Sequence, residues 1–271
     1  YFQSTILIYN TKIIQDNTKQ ILIDLLFKYF NGITNDQAIM NLHFNCQLKI
    51  WKQVPLKKKD KFLMSKGHAA LALYSILYNL NYSKNFNTEK FNKYPSLLTE
   101  HPQLNTKLPG IEFESGSLGN GMGVGSGIAY ANKLMKKKSK IIILIGDGEL
   151  YEGSCWEALL LSAQLELSNI LFIIDRNQLI TLGNTEKIAK LNPLNDKFKS
   201  FGLNVMETDG HNISKLIKKL NLFKNYKGKK PNVLICNTIK GKGIKFIENN
   251  PEFHHKTLND SQFKKALKEL K

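Results

Sequence analysis

Lys140-Ile141-Ile142-Ile143-Leu144-Ile145-Gly146-Asp147-Gly148 runs apolar for five consecutive residues and then breaks at a Gly-Asp-Gly turn. Asn169-Ile170-Leu171-Phe172-Ile173-Ile174-Asp175-Arg176-Asn177 repeats the pattern and breaks at an asparagine. Between them, Ser154 to Glu166 carries apolar residues at helical spacing. Lys140 to Gly146 and Asn169 to Asp175 are read as strands; a strand apolar on both faces must be covered on both, so the two belong to a sheet with helices above and below it. The alternation continues toward the carboxyl end. Asn195 to Phe201 predicts a helix, Asn204 to Thr208 a strand, Ile213 to Phe223 a helix, Asn232 to Thr238 a strand and Asp260 to Leu270 a closing helix. The class is α/β, a parallel sheet sandwiched by helices.

Upstream the pattern changes. Asn17 to Phe30 and Asp36 to Trp51 read as amphipathic helices, the first with Asn17 or Thr18 as cap. Pro55 to Lys61 is a lysine-rich loop, and Phe62-Leu63-Met64 leads into a helix from His68 to Leu80. Tyr94 to Ser117 lacks periodicity and carries Pro95, Pro102, Pro109 and Gly110, which marks a long loop of the kind often found at functional sites. A glycine-rich run, Gly116 to Gly127, then enters an apolar stretch that ends at lysines. Tyr1-Phe2-Gln3-Ser4 reads as the scar of a cleaved expression tag, leaving residues 5–271 as one domain without internal repeats.

Composition excludes several functions. The 271 residues carry 39 Lys+Arg against 22 Asp+Glu, a formal charge of +17. Arg176 is the sole arginine, and the lysines fall in short runs such as Lys57-Lys58-Lys59 and Lys136-Lys137-Lys138. Sequence-specific readers of nucleic acid rely on arginine forks and aromatic platforms, so the lysines are read as solvated faces, and no nucleic-acid partner is expected. No apolar run approaches the roughly 20 residues of a membrane helix, and no signal peptide is visible, so no membrane partner is expected either. Cys46, Cys155 and Cys236 are too widely spaced for a disulfide framework or a zinc site. A cytoplasmic location is the default expectation.

In a parallel sheet, strands joined by one helix tend to lie side by side and point the same way. Asp147 and Asn177 would then emerge together at the carboxyl edge, where open α/β sheets bind ligands. A carboxylate and an amide oxygen suit Mg²⁺, which takes hard oxygen donors and fills its remaining positions with phosphate and water. The glycines flanking Asp147 would let a diphosphate approach the backbone. The alternative is structural, since Asp-Gly is a common turn and Asn a common cap. The glycine-rich run is not a dinucleotide fingerprint: no G-x-G-x-x-G fits within it, and it precedes its strand instead of following one.

Gly146-Asp147-Gly148 through Asn177 resembles the signature of thiamine-diphosphate enzymes. Ser65-Lys66-Gly67-His68-Ala69-Ala70, the segment from Glu112 to Gly121, Glu149-Leu150, Glu152-Gly153 and Lys240-Gly241-Lys242-Gly243 extend the resemblance to the amino-terminal section of the transketolase family, in the same order from about Asp60 onward. The resemblance implies two-carbon ketol transfer with thiamine diphosphate and Mg²⁺, the cofactor serving as electron sink. It assigns Asp147, Asn177 and the Leu179 carbonyl to the metal. Gly148 and Asn177 would contact the diphosphate, with Gly116, Ser117 and Leu118 as the cofactor loop. His68, His101 and His254 would line the cofactor and its bound intermediate. Glu152 would couple paired active sites near a subunit interface. His43 and His211 are expected to be structural.

Two departures stand out. The family's His-Pro-Gly-Gly segment is replaced by Phe30-Asn31-Gly32-Ile33-Thr34-Asn35, and His254 is followed by His255 where glycine is usual. Both imply an altered sugar donor or acceptor. The pyrimidine-binding domain does not follow before Lys271, so a separate carboxyl-terminal subunit in an α₂β₂ assembly is expected. The alternatives are another thiamine-diphosphate lyase or synthase making branched sugars, or a non-catalytic subunit retaining the fold.

Overall fold

The computed structural model describes residues 60–79, 82, 91, 93, 96–104, 108–254 and 258–270. The expected helices at 17–30 and 36–51, the Phe30–Asn35 segment, the tag scar, His43 and His255 lie outside them. Among the described residues the strands are β1 (Lys61–Met64), β2 (Ile141–Gly146), β3 (Ile170–Arg176), β4 (Leu179–Ile180), β5 (Gly183–Asn184), β6 (Asn204–Asp209) and β7 (Asn232–Asn237). The helices are α1 (Ala70–Asn79), α2 (Asn120–Leu134), α3 (Gly153–Gln164), α4 (Thr185–Ile188), α5 (Leu194–Ser200), α6 (Ile213–Lys224) and α7 (Asp260–Glu269). Short 3₁₀ turns occupy Gly67–Ala69, Asp147–Tyr151 and Pro251–His254.

Five strands form one parallel sheet in the order β1-β2-β3-β7-β6, and β4 pairs with β5 as a small antiparallel ribbon. Alternating side chains of β2 feed two cores. Ile141, Ile143 and Ile145 pack with Met122 of α2, Leu159 of α3 and Phe198 of α5. Ile142 and Leu144 pack with Leu73 of α1 and Leu216 and Phe223 of α6. Every residue of β2 is buried, as its unbroken apolar run requires.

The glycine-rich run divides: Gly116 to Gly119 form the approach to α2, and the rest becomes the first half of that helix. A Cβ at Gly121 would lie 2.3 Å from Ser65 Oγ, and one at Gly125 would lie 2.1 Å from Ile143 Cδ1, whereas Gly123 and Gly127 meet nothing within 4 Å. The bare side of the helix therefore rests directly on the sheet. The expected helix from His68 divides: Gly67–Ala69 is a 3₁₀ turn and the α-helix begins at Ala70. Phe62-Leu63-Met64 belongs to a strand, β1, instead of leading straight into a helix.

Candidate active site

The register places Gly146 opposite Asp175 on adjacent parallel strands, so Asp147 and Asn177 leave neighbouring tips at the carboxyl edge. Asp147 is fully buried and Asn177 nearly so. Asp147 Oδ2 accepts from Arg176 Nη1 (2.9 Å) and from the Gln178 N–H (2.7 Å). Asn177 Oδ1 accepts the Leu179 N–H at 2.9 Å, which puts Leu179 against the same turn. Asp147 Oδ1 and Asn177 Nδ2 are buried with no hydrogen-bond partner among the described residues. Buried polar atoms are rarely left unpaired, and one acceptor beside one donor at this edge would suit a cation and an anionic oxygen. Burial raises the Asp147 carboxyl to about 6, against the pull of Arg176 and the Gln178 N–H.

The donor set suits Mg²⁺ and diphosphate. Asp147 offers one unengaged carboxylate oxygen, and the Asn177 carbonyl oxygen keeps a second lone pair. The Asn177 amide has hydrogens to give a phosphate oxygen. Among the described residues no cluster of three or more His, Cys, Asp or Glu could hold a metal. Mg²⁺ needs no such cluster, because one carboxylate with phosphate oxygens and water suffices.

The remaining predicted residues sit in turns, loops and a helix start outside the sheet. His68 sits in the turn after β1, buried; burial first, then Lys66 and Lys240, hold its imidazole well below the ordinary value. His254 is buried in the turn Pro251–His254, its Nδ1 3.1 Å from Lys240 Nζ. With the ammonium donating, Nδ1 accepts and the imidazole proton resides on Nε2. His101 is half-buried beside Gly116: a Cβ on that glycine would stand 3.7 Å from His101 Cγ. Gly116 has φ +149°, open to glycine and disfavoured for other residues. Ser117 is exposed and Leu118 half-buried between that loop and α2. Gly148 is half-buried in the turn Asp147–Tyr151. Glu152 is exposed at the start of α3, its side chain against Gly119. His211 Nε2 accepts the Ile239 N–H at 2.7 Å, a structural bond.

Five charged residues without an expected role also build this edge. Glu149, fully buried, accepts from Ser65 Oγ (2.6 Å), the Gly119 N–H (3.1 Å) and the Gly146 N–H (3.0 Å), tying β1, β2 and α2 together. Lys66 Nζ pairs with Asp175 Oδ2 at 2.6 Å, and Asp175 Oδ1 accepts from Thr238 Oγ1 at 2.5 Å. Arg176 and Lys240 are the others. The sequence signal for Lys66 and Lys240 is that each directly precedes a motif glycine, Gly67 and Gly241, outside the solvated lysine runs.

A parallel sheet with a half-satisfied carboxylate and amide on adjacent tips defines an α/β ligand-binding domain whose site lies at the carboxyl edge. Residues 37–270 match the family described as transketolase, thiamine diphosphate binding domain, and the chain belongs to that family. An apulose-4-phosphate transketolase subunit from Phocaeicola vulgatus is 34% identical, covering 94% of this chain and 92% of that protein. The protein of the same name from Actinobacillus succinogenes is 38% identical over 87% of this chain and 84% of its own length. Among solved structures, the transketolase of Campylobacter jejuni superposes with a TM-score of 0.77 at 26% identity. The match covers 96% of this chain but only 43% of that one. No helix among the described residues is long and apolar enough to cross a membrane.

Proposed function

We propose that this chain is the diphosphate-binding subunit of a two-chain transketolase, moving a two-carbon ketol unit from a ketose to an aldehyde or keto-sugar acceptor. The observation that carries the reading is the pair of unpartnered buried atoms, Asp147 Oδ1 and Asn177 Nδ2, on adjacent strand tips. Mg²⁺ would be held by Asp147 Oδ1, Asn177 Oδ1 and the Leu179 carbonyl. The diphosphate would lie on Asn177 Nδ2 and Gly148, with Gly116, Ser117 and Leu118 as its loop. Thiamine diphosphate supplies the electron sink for breaking and remaking the carbon–carbon bond.

The chain's own residues position the reactants and handle protons. His68, held neutral by burial and its lysine neighbours, serves as an acceptor. His254 holds a proton at Nε2 for a sugar oxygen, with Lys240 fixing the tautomer. His101 closes the loop side against Gly116. A second chain supplies the pyrimidine-binding domain, in an α₂β₂ assembly with Glu152 near the join. Support for two chains is that relatives named as transketolase subunits are matched over 92% and 84% of their length, against 43% for a solved transketolase. The substrates are sugars or sugar phosphates, and the compartment is the cytoplasm.

The test is calorimetric titration of thiamine diphosphate into the full chain, alone and with a carboxyl-terminal transketolase-like subunit, with Mg²⁺ or with chelator. Binding that needs Mg²⁺, and ketol transfer that needs both chains, are expected. Equal binding in chelator, or transfer by this chain alone, contradicts the proposal.

A further inference from the structure

Arg176 is the sole arginine of the sequence and lies at the end of β3, only 2% exposed. Its guanidinium is engaged on both sides. Nη1 donates to Asp147 Oδ2 and to Thr185 Oγ1, each at 2.9 Å. Nη2 donates to Glu186 Oε1 and, at 3.4 Å, to Asn192 Oδ1. Thr185, Glu186 and Asn192 belong to the excursion 178–192, which leaves the sheet directly after Asn177 and carries Leu179. The Thr185 N–H returns to the Gln178 carbonyl at 2.9 Å, and the Gln178 N–H donates to Asp147 Oδ2.

We propose that Arg176 is a positioning residue for the cation site, saturating one oxygen of Asp147 so that the other faces the ion, and pinning the excursion that carries the Leu179 carbonyl. The inference rests on the cation reading of Asp147 given above. A lone carboxylate can swing or present both oxygens to an ion. With Oδ2 held by a guanidinium and a backbone N–H, Oδ1 alone retains capacity, the one-oxygen mode that octahedral Mg²⁺ favours. A planar fork can hold Asp147 and Glu186 at once, which a lysine ammonium cannot reproduce.

One opposing effect needs weighing, because a guanidinium beside a dication repels it. Glu186 answers this: its carboxylate meets the far side of the guanidinium and offsets that charge. The clamp is thus close to neutral while its geometry remains, and positioning outweighs repulsion.

The test uses the full chain together with the carboxyl-terminal partner subunit, thiamine diphosphate and Mn²⁺, with unbound Mn²⁺ read by electron paramagnetic resonance. Arg176→Lys is expected to weaken Mn²⁺ binding by roughly 10- to 100-fold, the usual range for groups that orient a metal ligand. Glu186→Gln keeps the arginine but leaves its charge uncompensated, and is expected to weaken Mn²⁺ binding by a smaller factor. Thermal stability without metal is measured alongside, because a purely structural role would lower it and leave the affinity of the folded chain unchanged. Mn²⁺ affinity that is unchanged or tighter in Arg176→Lys overturns the inference; should that variant not fold, unchanged affinity in Glu186→Gln does so. A wild-type two-chain assembly that fails to take up Mn²⁺ with thiamine diphosphate overturns the cation reading and this inference together, whereas normal wild-type uptake with insensitive variants overturns this one alone.

Discussion

Lys66 Nζ and Asp175 Oδ2 lie 2.6 Å apart with both side chains wholly removed from solvent. Lys66 follows β1 and Asp175 ends β3, and β2 lies between those strands in the sheet. The ion pair therefore reaches across the tip of β2, immediately below the turn that carries Asp147. The Ser65 N–H bonds the Leu144 carbonyl at 2.9 Å, so backbone and side chain together seal the strand ends.

Removing one partner leaves the other charge stranded in a dry interior. Lys66→Met is expected to cost about 3–5 kcal/mol in urea unfolding. Adding Asp175→Asn to the same chain should recover part of that loss, because the leftover carboxylate is then neutral while Thr238 can still donate to it. A Lys66→Met chain as stable as wild type would show that the pair contributes nothing.

The glycines of α2 divide by face. Gly125→Ala drives a methyl into Ile143 and should destabilise the fold by about 1–3 kcal/mol. Gly123→Ala meets nothing within 4 Å and should stabilise the isolated chain by up to about 1 kcal/mol through helix propensity. Thermal denaturation of the two variants checks the difference in sign.

His68 makes stability depend on pH. Its folded value lies below the ordinary 6.5, so between the two values the unfolded chain binds a proton that the folded chain does not. This contribution is present in full above pH 6.5 and is lost as pH falls, with a slope of up to about 1.4 kcal/mol per pH unit. His68→Gln should flatten the decline below pH 6.5 in denaturant titrations. An identical pH profile in the variant would refute the burial-driven shift.

The strand–helix alternation from Lys140 onward is legible because the central strands are buried on both faces and must be continuously apolar. The expected strand at 140–146 is one residue wider than Ile141–Gly146, and the expected helix at 260–270 ends one residue late. β1 escapes a reading of periodicity for a physical reason. It has four residues, two of them only half-buried and one a lysine, and its pairing partner Ile141 is 80 residues distant from Lys61. Asp147 and Asn177 are legible as candidates because each follows an unmistakable strand. The ties that shape their surroundings are not: Lys66 finds Asp175 across 109 residues, and nothing local announces which buried lysine meets which carboxylate. Arg176 lies in plain view as the sole arginine, yet its partners Thr185, Glu186 and Asn192 come from an excursion whose path the sequence does not reveal.

The most direct test is a crystal of the full chain grown with thiamine diphosphate and Mn²⁺, with the ion located by its anomalous scattering. The expected result is one peak bonded to Asp147 Oδ1, Asn177 Oδ1 and the Leu179 carbonyl at about 2.1 Å, the usual distance for a small octahedral cation, with diphosphate oxygens completing the shell. A peak bound elsewhere, or a diphosphate docked away from the β2 and β3 tips, would contradict the account.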